Sequence, residues 1–215
     1  MKRTFIIGYY GSGKSEVSIN LAINEKYEYL VDLDVVNPYF RSRQVDSELS
    51  KHRIKLLSST NVDTKYLDMP YIDEAIYELY EKFNGSMLFD FGGDAIGASI
   101  IKQFDHKNNL QILFVINVFR PYTNSVANII KQINKIEIKA KCKITGLINN
   151  SNMLEHTTVK DVLYGQKIIE QVSKKINVPL VLTTYIPLIN KDLKIKNNTM
   201  ELKRYLKTHD VSNHK

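Results

Sequence analysis

The segment Gly8-Tyr9-Tyr10-Gly11-Ser12-Gly13-Lys14-Ser15 carries glycines, a lysine and a hydroxyl at the spacing G-x-x-x-x-G-K-[ST]. That spacing suits a triphosphate. Gly8, Gly11 and Gly13, with Ser12 between the last two, let backbone N–H groups curl around a β-phosphate where a Cβ would obstruct the approach. Lys14 is placed to reach the β- and γ-phosphates as a catalytic charge, and the Ser15 hydroxyl to take one position around Mg²⁺. Glu16, next in the chain, counts with the nucleotide-binding residues. A strand-like stretch, Thr4-Phe5-Ile6-Ile7, precedes the loop, and a helix-like one, Val17 to Ala22, follows it. Such a helix turns free amides and the positive end of its dipole toward the anion.

Carboxylates close two further strand-like segments, Tyr29-Leu30-Val31-Asp32-Leu33-Asp34 and Met87-Leu88-Phe89-Asp90-Phe91-Gly92-Gly93-Asp94. An apolar strand ending in Asp is the second half of a phosphate-loop site, where the carboxylate holds Mg²⁺ through water. Asp90 fits that role, and Asp90-x-x-Gly93 reads as a switch whose Gly93 amide senses a γ-phosphate. Asp94 reads as a helix cap. Asp32 and Asp34 alternate at their strand end, so one of them is expected to point at a given surface. Asp34 is assigned to orienting the attacking water or acceptor hydroxyl, and Asp32 to the Mg²⁺ shell. The competing reading for either is a strand-end carboxylate that binds a loop amide.

These residues need a scaffold that brings loop ends together. Strand-like runs at 3–8, 28–33, 53–57, 86–91, 110–117, 143–149 and 179–184 alternate with helix-like runs at 14–25, 41–51, 71–83, 95–104, 122–138, 159–176 and 198–208. That alternation predicts an α/β fold, a doubly wound, mostly parallel sheet with helices on both faces. Continuous runs such as Leu113-Phe114-Val115-Ile116 read as strands buried on both sides. Residues 1–210 are expected to form one nucleotide-binding domain, 211–215 a frayed tail and 58–70 a lid-like loop. In such a sheet ligands sit beyond the carboxyl ends of the strands, where each of these motifs falls.

Together the phosphate loop, the Asp32-x-Asp34 strand end and the Asp90-x-x-Gly93 switch resemble the CobQ/CobB/MinD/ParA nucleotide-binding superfamily. More narrowly, VDLDVVNPYFRSRQ, FDFGGDAIGA, VINVFRPYT and ITGLINNSN are similar to an uncharacterised bacterial ATP-binding group within it, over about residues 2 to 190. The resemblance implies a P-loop NTPase fold, Mg²⁺ and ATP as ligands, and slow ATP hydrolysis. It also implies a switch acting on a protein partner and nucleotide-dependent homodimerisation. Kinases and ligases for small molecules occur in the same superfamily and form the alternative. ParA- and MinD-type loops carry an early second lysine. Here that position is Tyr9, with Arg41, Arg43 and Arg120 as candidate replacements. The segment after Gly146 lacks the N-K-x-D of guanine-specific proteins. The resemblance places Asn150 on the adenine edge and Pro187 against the base, which favours ATP.

Composition excludes more than it identifies. An apolar share of 43% and a charged share of 25% are those of an ordinary soluble protein, and the apolar run at 112–119 is too short to cross a bilayer. One cysteine, Cys142, excludes an internal disulfide and fits a reducing cytoplasm. Lysines on both sides favour its thiolate, while its place at a strand start argues for an inert thiol. The net charge of +7 includes Lys131, Lys135, Lys139, Lys141 and Lys143, which read as a solvated helix face. Neither nucleic acid nor a membrane is an expected partner. The five histidines lack metal-ligand spacing.

Overall fold

Strands whose apolar residues run unbroken must be covered on both faces, and the sheet is built accordingly. The computed structural model describes residues 1–34, 42–58, 72–93, 95–104, 110–187, 195 and 198–206, with backbone alone at 42–44, 95 and 96. Within them the chain runs β1 (Lys2–Gly8), α1 (Lys14–Asn24), β2 (Tyr29–Leu33), α2 (Ser42–Lys51), β3 (Lys55–Ser58), α3 (Glu74–Lys82) and β4 (Ser86–Phe91). It continues through α4 (Ala95–Ile101), β5 (Leu110–Ile116), α5 (Val126–Ala140), β6 (Gly146–Asn149), α6 (Val159–Ile176), β7 (Leu180–Tyr185) and β8 (Thr199–Glu201). The strands form one sheet in the order β3-β2-β4-β1-β5-β6-β7-β8. Every pairing is parallel. The order reverses around β1, which sits between β4 and β5 and delivers the phosphate loop to the middle of the sheet.

Alternation along each strand sorts the core into two layers. Phe5, Ile7, Phe89, Phe91 and Phe114 face α3 to α6. There the Phe5 ring meets Phe89 at 5.1 Å and Phe104 at 5.2 Å, both edge-on, as ring quadrupoles prefer. Ile6, Leu88, Val115 and Ile148 face the other way, toward Val17 and Leu21 of α1 and Val45 and Leu49 of α2. Lys131, Lys135, Lys139, Lys141 and Lys143 are exposed on and just after α5, as a solvated face requires.

Helix starts differ in one telling way. Asp73, Ser125 and Thr158 cap α3, α5 and α6 by accepting from amides of the first turn. Helix α1 begins instead at Gly13, in the left-handed region at φ 79°, with no side-chain cap. Helix α5 starts at Val126, four residues past the sequence expectation, because Ser125 caps it and Thr123 ties back to the Asn117 carbonyl.

Over 198–206, the described part of the helix expected at 198–208, the chain forms strand β8 and then a segment without helix. Met200 and Leu202, two residues apart, are both buried, which is the strand period and not the helical one. The lid-like loop lies outside the described residues but for Ser58, and the expected tail lies wholly outside them. No helix among the described residues is long and apolar enough to cross a membrane.

Cys142 is half-buried, and burial with the nearby Glu137 carboxylate pushes its thiol up to about 11 despite the neighbouring Lys143. The thiol is therefore protonated at pH 8. Alkylation by iodoacetamide there should run roughly 100-fold slower than for a free thiol of pKa about 8.5. It should rise tenfold per pH unit, and a rate at pH 8 equal to that of a free thiol would contradict this burial. In the aromatic layer, Phe89→Ala should cost about 3–5 kcal/mol in a denaturant melt.

Candidate functional site

A cavity of about 890 Å³ opens at the carboxyl ends of the strands, lined at one end by Gly11, Ser12, Gly13, Lys14, Ser15 and Gly93. The loop's amides can converge on one point only if its carbonyls are held elsewhere. Tyr9 O accepts from Ser12 N at 3.0 Å, and Gly13 O from Val17 N at 3.0 Å. Gly11 O accepts from Arg120 Nε at 2.9 Å, and Ser12 O from Asn150 Nδ2 at 2.7 Å. Gly13 has to be glycine on two counts, its positive φ and the Asn150 Nδ2 that would lie 2.4 Å from a Cβ. Since Val17 makes the first intrahelical bond, the amides of Lys14 and Ser15 have no carbonyl one turn back.

Lys14 and Asp34 meet at 3.3 Å, both side chains nearly buried. Asp32 accepts from the Asp34 amide at 3.1 Å, the strand-end contact weighed against its metal role. Asp32 also pairs in register with Asp90 on the neighbouring strand, so the two carboxylates lie side by side on one sheet face. That face is the α1 side, since Leu30 and Leu88, two residues back on each strand, pack there. The expectation that only one of Asp32 and Asp34 faces a given surface does not hold. Residues two apart on a strand share a face, and Asp34 comes to Lys14 of α1.

The donor set fits Mg²⁺. Ser15 Oγ is buried without a hydrogen-bond partner among the described residues, and Asp32 and Asp90 stand on the face that α1 covers. A serine hydroxyl and two carboxylates are hard oxygen donors of the kind Mg²⁺ takes. No group of three or more His, Cys, Asp or Glu side chains that could hold a metal occurs among the described residues.

Gly93 abuts the phosphate loop, where a Cβ would lie 2.4 Å from Gly8 O and 2.9 Å from Tyr10 N. Tyr9 turns its ring onto Tyr122 at 5.1 Å. Of the three candidate arginines, Arg120 latches onto Gly11 of its own loop. Arg41, the Arg43 side chain and Asp94 lie outside the described residues.

Asn150 occupies a place the sequence reading did not foresee. It is 1% exposed, its Nδ2 is taken by the Ser12 carbonyl, and its Oδ1 accepts from Thr184 Oγ1 at 2.5 Å and Asn152 Nδ2 at 3.2 Å. An amide engaged at both ends holds the loop and has little left for a base edge. Its neighbour Asn149 points to the other face, donating to Val162 O of α6 at 3.2 Å.

Pro187 lines the far end of the cavity with Leu154, Ile186, Leu202, Arg204 and Leu206. The last three belong to the C-terminal segment, which the sequence reading placed in a helix. Glu16 lines the same cavity, and its carboxylate accepts from the amides of Tyr205 and Leu206, the latter at 3.1 Å.

Comparison with known proteins bears on this geometry only through the fold. No family model matches the chain, and no curated protein does. Among solved structures, FlhF complexed with GMPPNP and Mg²⁺ superposes with a TM-score of 0.51 at 13% identity, covering 83% of this chain and 64% of that one. Chloroplast FtsY from Physcomitrella patens gives 0.52 at 15%, covering 85% and 58%. The signal recognition particle receptor FtsY from Elizabethkingia anophelis gives 0.50 at 11%, covering 96% and 63%. The fold is that of the P-loop NTPases. The chain spans about three fifths of the length of each of these proteins.

A methyl group at Gly93 would meet backbone, which cannot swing aside as a side chain can. Gly93→Ala should therefore displace the phosphate loop and lower affinity for a triphosphate by about tenfold or more, while Gly85→Ala, remote from the loop, should not. Unchanged affinity in titration calorimetry would remove Gly93 from contact with the loop.

Proposed function

We propose that this protein binds a Mg²⁺–nucleoside triphosphate, ATP in preference, hydrolyses it slowly and acts as a nucleotide-dependent switch on a protein partner. The observation that carries the reading is the convergence on one cavity of an uncapped helix start, Lys14, Asp34, Gly93 and a Ser15 hydroxyl without a hydrogen-bond partner among the described residues, with Asp32 and Asp90 side by side on the sheet face that α1 covers. Lys14 would exchange Asp34 for the β- and γ-phosphates, and the first-turn amides of α1 would meet the β-phosphate. Ser15, Asp32 and Asp90 would hold Mg²⁺, which neutralises charge on the phosphate oxygens. Asp34, released from Lys14, would orient the attacking water. The contact of Gly93 with Gly8 and Tyr10 supports a switch, because a γ-phosphate that moves the loop also moves the 91–97 segment.

Preference for ATP rests on the base end of the cavity. Met153 stands where an N-K-x-D motif beginning at Asn150 would supply its carboxylate, and Glu155, the carboxylate lining that end, is paired with Arg204 at 3.5 Å. Guanine is the second reading, favoured by that same Glu155 and by the guanine nucleotide in the FlhF structure.

Lys14→Ala should weaken Mg²⁺–ATP binding by roughly 10- to 100-fold, the loss of charged hydrogen bonds. Asp34→Ala should leave affinity equal or higher, since Lys14 loses its competing partner. It should slow turnover by about 10²- to 10⁴-fold. Wild-type turnover in that variant would refute its assigned role. Displacement of a fluorescent nucleotide by ATP and GTP decides the base, and tighter GTP binding that Glu155→Gln abolishes would establish guanine. A mass that doubles only with a non-hydrolysable triphosphate would add nucleotide-dependent dimerisation despite Tyr9.

A further inference from the structure

Helix α1 carries two polar residues one turn apart, the partly exposed Glu16 and the buried Asn20, that share a face turned to the C-terminal segment. Asn20 is 1% exposed and treats Lys203 as a strand would, donating from Nδ2 to its carbonyl at 2.8 Å and accepting its amide on Oδ1 at 2.9 Å. Glu16 accepts from the amides of Tyr205 and Leu206. The segment they hold is anchored at its start by Leu202 N donating to Tyr185 O at 2.7 Å. Leu202, Arg204 and Leu206 of this segment line the same cavity as Leu154, Ile186 and Pro187.

We infer that Glu16 and Asn20 are positioning residues that make segment 202–206 the recognition wall for the nucleoside half of the ligand; the inference rests on the nucleotide reading above. A carboxylate directly after Ser15 is otherwise hard to account for. Placed beside a triphosphate it would repel the ligand, and here two backbone amides of the C-terminal segment offset its charge. The site is thus assembled from both ends of the chain. The phosphate half comes from residues 8–15, and the apolar slot for the base comes in part from a segment more than 180 residues later, fastened to the same helix turn. Apolar walls at Leu202, Leu206 and Ile186 suit the faces of a planar heterocycle. They add nothing for a bare polyphosphate.

The test compares Mg²⁺–ATP with Mg²⁺–tripolyphosphate by titration calorimetry in wild type, Glu16→Ala, Glu16→Gln and Asn20→Ala. Removing the Glu16 charge next to the phosphates should leave tripolyphosphate affinity equal or higher. Loss of the fastened wall should lower ATP affinity about tenfold in Glu16→Ala and Asn20→Ala, and less in Glu16→Gln, which keeps one acceptor oxygen. Opposite movement of the two ligands is the signature; a folding defect would weaken both together. Trypsin should also cut after Lys203 and Arg204 faster in Glu16→Ala, and ATP should protect the wild type there more than tripolyphosphate does. ATP and tripolyphosphate affinities that change in parallel would overturn the role of the wall and leave the nucleotide reading standing. Wild-type protein that binds neither ligand would overturn both.

Discussion

A loop of backbone can bind an anion with its amides only when its carbonyls face elsewhere, and that constraint organises the centre of this molecule. The carbonyls of Tyr9, Gly11, Ser12 and Gly13 are each taken, by Ser12 N, Arg120, Asn150 and Val17 N. The donors come from the loop itself, the turn after β5, the end of β6 and the body of α1. Each is fixed in turn by its own element: Asn150 is steadied by Thr184 of β7 and Asn152, and Gly93 at the end of β4 presses on the loop from the other side. Four strands, β4 to β7, thus contribute to shaping the loop. A parallel sheet with β1 in the middle can do this because all its strands end on one side.

The fold was legible in the sequence because its strands are buried on both faces. Runs such as Leu113 to Ile116 carry no solvent face to confuse with an amphipathic helix, and α5 and α6 between them are long and capped. The failure came at the sheet's edge. The three residues of β8 give no run to read, and the lysines at 203 and 207 with leucines at 202 and 206 imitate a helix face. What decides for strand there is pairing with β7 and contact with α1, both long-range.

The site was legible where chemistry is local. Gly8 to Ser15 and the strand-end carboxylates are defined by neighbours in sequence, and the structure brings Lys14, Ser15, Asp34 and Gly93 to one cavity. Asn150 was noticed but given the wrong partner, since nothing local reveals that Ser12 lies 138 residues back along the chain. The signal that was present and went unread is the Glu16/Asn20 pair. In a helix whose residues from Val17 to Ala22 are all buried, a carboxylate and an amide at i and i+4 share a face, and a buried amide must find backbone or side-chain partners.

Charge then explains why these parts come as a set. Asp32 and Asp90 are held side by side on adjacent strands, about 4.8 Å apart in the sheet's spacing. Asp34 meets Lys14 at the start of the loop's helix, and Glu16 follows two residues later. A triphosphate adds several negative charges to that end of the cavity, and Lys14 and one helix start offset only part of them. A divalent cation between the phosphates and the carboxylates reverses the balance, since each pair of anions then attracts through the cation. In the proposed reading the carboxylates, which would exclude bare triphosphate, would select its magnesium complex. There the amides of the C-terminal segment would occupy Glu16, an acid two residues past Lys14.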